Sequence, residues 1–137
     1  MEEKLEKEIV QRIEEGNSLD DAGEHDKALA IYIAEWDNFP GDKYKEDLGL
    51  WIASCIFQAY FDMLKFNEAK HWALECLKMD LPDYATEEYM RVGEVYYELN
   101  EFDQSYKYFE IAYERGKKRA FKEHDNKYWT FFKQKLV

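Results

Sequence analysis

The sequence predicts an all-α fold of three helix–turn–helix hairpins followed by a C-terminal capping helix. Three observations carry that expectation. Apolar residues recur at steps of three and four along almost the whole chain, the spacing of one helix face. Only two prolines and six glycines occur in 137 residues, so few positions break a helix. And one ten-residue stretch, 60–69, aligns without gaps on 96–105, the mark of stacked helical pairs.

The first hairpin is expected over about 4–40. Leu5, Ile9 and Ile13 set the face of its first helix, and Ala28, Ile31, Tyr32 and Trp36 that of its second, with the turn at Gly23–Glu24. Pro40 closes it, since proline cannot continue a helix. The second hairpin, about 44–81, opens behind Asp42, a side chain suited to accepting the free N–H groups of a helix start. Ile52, Cys55, Ile56, Ala59, Tyr60 and Met63 mark its first helix, and Phe66, Ala69, Trp72, Ala73 and Cys76 its second. The third, about 84–116, follows Pro82, with Asp83 and Thr86 as candidate caps. Its faces are Tyr89, Val92, Tyr96 and Leu99, then Phe102, Ser105, Phe109, Ala112 and Tyr113. A last helix, about 120–136, would lay Tyr128, Trp129, Phe131 and Phe132 over the third hairpin and turn its lysines to water. One hairpin cannot bury its apolar face alone, so residues 1–137 read as a single stacked domain.

Composition narrows the function classes. No apolar run approaches the roughly 20 residues of a membrane span, and the acidic, amphipathic start lacks the form of a signal peptide. Cys55 and Cys76 are too few for a zinc site and suit a reducing compartment. The expected location is therefore cytoplasmic, with no membrane contact. A net charge of −11 disfavours nucleic acid as the partner. The charge is unevenly placed: residues 1–114 carry −17 and residues 115–137 carry +6. The sequence has no Gly-rich phosphate loop, no HExxH and no GxSxG. His25, His71 and His124 are scattered and read as surface or partly buried residues. No enzyme activity, cofactor or metal is expected.

The third hairpin resembles the tetratricopeptide repeat family: Tyr89, Val92, Gly93, Tyr96, Phe102, Ser105, Phe109 and Ala112 stand where that family's pattern has its Trp, Leu, Gly, Tyr, turn and crossing residues. The first hairpin matches at Gly16, Gly23, Ala28, Tyr32 and Pro40; the second at Ile56, Tyr60, Phe66, Ala69 and Ala73, with Cys76 for the later Ala. The second departs at Phe57, a bulky residue where the family places Gly or Ala. The repeat spacings also exceed the family's 34 residues, which lengthens the connection at 37–46. The resemblance covers about residues 8–117 and implies a right-handed superhelix.

It also implies a concave groove lined by the first helix of each hairpin. Carried over, the groove residues are Ile13, Asn17, Asp20 and Asp21; Trp51, Ser54, Gln58, Phe61 and Asp62; and Met90, Arg91, Glu94, Tyr97 and Glu98. Asn17 and Arg91 make a poor clamp for a peptide carboxylate, and five Asp/Glu surround them. The expected function is a non-enzymatic protein-interaction module. Its acidic, aromatic-bearing groove would bind a basic or amphipathic segment of a protein or peptide partner, as an immunity protein, antitoxin or chaperone would. The alternative is a self-assembling structural adaptor, acidic body pairing with basic tail. The oligomeric state is open.

Overall fold

The breaks read from the sequence fall where the backbone turns. A computed structural model describes residues 1–136, and every regular element among them is helical: α1 (Glu3–Asp21), α2 (His25–Asp37), α3 (Asp47–Asp62), α4 (Phe66–Cys76), α5 (Glu87–Glu98), α6 (Phe102–Gly116) and α7 (Asn126–Lys133), with 3-10 turns at Lys43–Lys45 and Lys117–Phe121. Val137, the end of the expected domain, lies outside the described residues. The chain divides into two compact units, 1–80 and 81 onward. In the first, α1 pairs with α2 and α3 with α4, while α3 also packs on α2 and touches α1. In the second, α5 pairs with α6; the 3-10 turn at 117–121 packs on both, and α7 packs on that turn and on α6.

The three hairpin turns are copies of one another. Gly23, Leu64 and Asn100 take positive φ, at 84°, 61° and 62°. In each, the next residue's N–H reaches back five positions: Glu24 to Leu19 at 2.9 Å, Lys65 to Tyr60 at 2.9 Å and Glu101 to Tyr96 at 2.9 Å. This is the Schellman closure, which satisfies carbonyls left over at a helix end. Four residues into the next helix stand Ala28, Ala69 and Ser105, all fully buried.

The helix crossings repeat as well, with one reversal of volume. In α1 a Cβ at Gly16 would lie 2.6 Å from the Tyr32 ring, and in α5 a Cβ at Gly93 would lie 2.5 Å from the Phe109 ring. Both aromatics stand sixteen residues after their glycine and are buried. At the corresponding pair in the second hairpin the large residue is Phe57 and the small one Ala73, again both buried. The exchange leaves the summed side-chain volume of the two positions nearly unchanged. Ser105 adds a polar tie, its hydroxyl donating to the Gly93 carbonyl at 2.7 Å.

Three expectations about local structure need correction. Asp42 caps the 3-10 turn at 43–45, accepting from the Tyr44 N–H at 3.1 Å, and not the first helix of the second hairpin. Thr86 stands at the start of α5 without a side-chain cap bond. The expected helix over 120–136 is also broken. Lys122 is extended and Glu123 has φ of 72°, after which Asp125 caps α7 by accepting from the Lys127 N–H at 3.0 Å. An Asp three residues before an aromatic run is a helix start, and it resets the chain after the 3-10 turn.

Candidate functional site

In the first unit, α1 and α3 present most of the predicted groove residues. Ile13 is not among them: it is fully buried and belongs to the core. Asn17 is half-buried and committed inward, its side-chain oxygen accepting from the Tyr32 hydroxyl at 2.5 Å and from the Cys55 thiol at 3.5 Å. Ser54 and Trp51 are half-buried, and the Ser54 hydroxyl lies 4.0 Å from the Cys76 sulfur. Gln58 is exposed and donates to Asp62 at 2.8 Å. Phe61 is half-buried between Phe57 and Phe66, with ring centroids at 5.5 and 5.2 Å.

The carboxylates of this face converge on the start of α2. Asp20 meets the His25 ring nitrogen at 2.6 Å. That hydrogen bond, with the fields of Asp20, Asp62 and Asp26, raises the His25 pKa. Asp21 and Asp62 are exposed. The face is thus acidic, with Phe61 partly open beside it.

In the second unit the corresponding stripe of α5 runs Glu87, Arg91, Glu94, Glu98, spaced so that all four share one helix face. Met90, predicted for the groove, lies off this stripe and is fully buried. The carboxylates are already engaged by the segment that follows α6. His124 sits between two of them, Nδ1 at 2.9 Å from Glu94 and Nε2 at 2.9 Å from Glu87. Lys127 donates to Glu98 at 2.5 Å, and the Tyr128 hydroxyl donates to the same oxygen at 3.3 Å. Tyr97 packs edge-on against Tyr128 and Phe131, with centroids at 5.3 and 5.2 Å. The basic tail therefore occupies the acidic face of its own unit.

No protein-family model matches this chain, and no curated protein does.

The electrostatics define what the His124 clamp can do. Hydrogen bonds to Glu87 and Glu94 push the His124 pKa up to about 10, and the His124 bond holds Glu87 below the ordinary carboxylate range. Glu94 moves the other way, because burial penalises its charge more than His124 favours it. An imidazolium donating both N–H groups to carboxylates has no lone pair for proton abstraction or metal binding. The cluster is a structural clamp. Nor is α7 a loosely held arm: Phe132 is fully buried and Tyr128 nearly so, and withdrawing each would cost about 1.5–3 kcal/mol.

Beside the clamp opens a pocket of about 460 Å³. Phe121 and Trp129 supply its apolar surface, His124 and Asn126 line it, and Lys118, Arg119 and Lys122 stand around it with one carboxylate, Glu123, all four charged residues exposed. Sequence reading missed both features. Charge asymmetry signalled a basic tail, but not that His124 and Lys127 turn inward while these three cations stay in water.

Proposed function

We propose that this chain is a non-enzymatic protein-interaction module of the tetratricopeptide kind, three hairpins stacked as a right-handed superhelix, that holds a basic or amphipathic segment of a protein partner. It would work in the cytoplasm without cofactor, nucleic acid or membrane. One observation carries the reading. The acidic, tyrosine-bearing face of α5 already holds a segment of that chemistry, the chain's own His124, Lys127, Tyr128 and Phe131. In the first unit, Asp20, Asp21, Asp62 and Phe61 form a face of the same chemistry, where Asp20 meets the His25 ring nitrogen and the His25 pKa is raised. A basic helix would gain on-rate from the carboxylates and affinity from contact with the aromatic ring. A small acidic protein of this kind suits masking a basic partner, as immunity proteins, antitoxins and secretion chaperones do.

The test is a pull-down from the source lysate, with the captured protein's affinity then measured against two variants. Asp21→Lys/Asp62→Lys reverses the proposed face; Asp103→Lys/Glu110→Lys reverses two exposed carboxylates on α6. The reading requires a loss of at least about tenfold for the first pair only. Equal losses would mean that bulk charge drives binding, and would refute a defined face.

A further inference from the structure

We propose that the cationic pocket of the second unit is a self-association site that receives helix α1 of a second copy of this chain. Three observations combine. First, the pocket's three lysine and arginine cations, Lys118, Arg119 and Lys122, form no ion pairs among the described residues. The ion pairs of this unit run elsewhere, from His124 to Glu87 and Glu94, from Lys127 to Glu98 and from Arg91 to Glu87. One carboxylate, Glu123, shares the lining, so three cations against one carboxylate leave the pocket net positive in a chain of net charge −11, a receptor for an anion.

Second, the pocket is not only cationic. Trp129 is half-buried beside Phe121, their centroids 5.2 Å apart, and the Lys118 ammonium lies 5.5 Å from the Trp129 ring centre. An indole flanked by ammonium and guanidinium groups calls for an occupant with carboxylates around an apolar centre. A polyphosphate strand supplies charge but no apolar centre, and it would meet the acidic remainder of the chain.

Third, the chain itself carries that pattern. On α1, Glu3, Glu6, Val10 and Glu14 follow one another at steps of three and four, so they share one face. Lys7 and Gln11 lie beside them on the same helix surface. The glutamates are exposed and Val10 is half-buried among them. Glu3 makes only an exposed contact with Lys7, at 3.3 Å. The match is Val10 against Trp129, and a net negative α1 face, three carboxylates with Lys7, against a net positive lining, three cations with Glu123.

The two patches are different surfaces, so the contact is heterologous and each added copy leaves one of each free. Rim ion pairs are individually weak and salt-screened. Association is therefore expected with a dissociation constant on the order of 100 µM, growing with concentration and fading with salt.

The experiment is sedimentation and light scattering of the full chain from about 10 µM to about 1 mM, at about 50 mM and about 500 mM salt. Average mass should rise above the 16.6 kDa monomer at low salt and return to it at high salt. Two charge-reversed variants, each checked for native circular dichroism, locate the contact. Lys118→Glu/Arg119→Glu/Lys122→Glu and Glu3→Lys/Glu6→Lys/Glu14→Lys should each be monomeric alone, because each opposes like charges. Mixed, they present complementary patches again, and association should return. A wild-type chain monomeric at about 1 mM in low salt overturns the proposal. So does a pocket variant that still associates, or a mixture that stays monomeric.

Discussion

Replacing His124 by alanine tests the clamp that fixes the C-terminal segment onto α5. In the folded chain His124 bridges Glu87 and Glu94 at 2.9 Å each, and its pKa stands near 10 against an ordinary 6.5. At about 1.4 kcal/mol per pH unit, that rise sets a ceiling of about 5 kcal/mol on what the proton contributes to stability. The carboxylates pull in opposite directions, Glu87 favoured as the anion and Glu94 opposed by its burial. Breaking a largely buried pair also leaves Glu94 to take up a proton, which relieves part of the loss. The expected cost of His124→Ala is about 2–3 kcal/mol near neutral pH.

The pH dependence carries the sharper test. A histidine whose folded pKa is raised stabilises fully below its unfolded value of 6.5, and that stabilisation is lost as pH climbs towards about 10. Glu87, with its folded pKa lowered, contributes above its ordinary 4.5 and loses that contribution as pH falls through the lower folded value. The gap between wild type and variant should therefore be widest between about pH 5 and about pH 6.5 and close towards about pH 10. Urea denaturation of both proteins at about pH 6, 8 and 10 measures it. A gap that stays constant or widens with pH would refute the reasoning. So would a His124 ring proton that titrates near 6.5 by nuclear magnetic resonance.

Gly93→Ala should cost about 1–3 kcal/mol, because the new Cβ would stand 2.5 Å from the Phe109 ring; an unchanged urea midpoint would show that Phe109 gives way freely. Leu64→Gly should stabilise by up to about 1 kcal/mol, since Leu64 holds φ of 61° with its side chain exposed to solvent. A loss of stability there would mean that the side chain contributes more than its strain costs. Phe132→Ala should cost about 3–5 kcal/mol, because Phe132 is fully buried against Tyr106, Tyr113 and Phe121. A cost under about 1 kcal/mol would place α7 outside the unit's core.

The helices and their turns were legible because local rules fix them. Steps of three and four decide which residues share a face, and the aligned stretches 60–69 and 96–105 fold with the same positive-φ residue and the same five-residue closure. Ala69 and Ser105 could be assigned to buried crossings for the same reason. Burial at the edge of a face was not legible. Ile13 and Met90 were read as groove residues, yet both are fully buried. One helical residue is a rotation of about 100°, so a small error in the axis of the face exchanges lining for core.

What the sequence by itself determined is the all-helical fold, the hairpin turns, the small residues at two crossings and an acidic body with a basic end. What only the tertiary structure decided is which charges meet. Nothing local distinguishes His124 and Lys127 from Lys118, Arg119 and Lys122: all lie in one basic stretch of the sequence. The fold separates them by a positive φ at Glu123 and a cap at Asp125, which turn His124 towards Glu87 and Glu94 and leave the other three in water. Coulomb energy depends on distance and on the polarisability between charges, and both are set by how helices distant in sequence come to lie together.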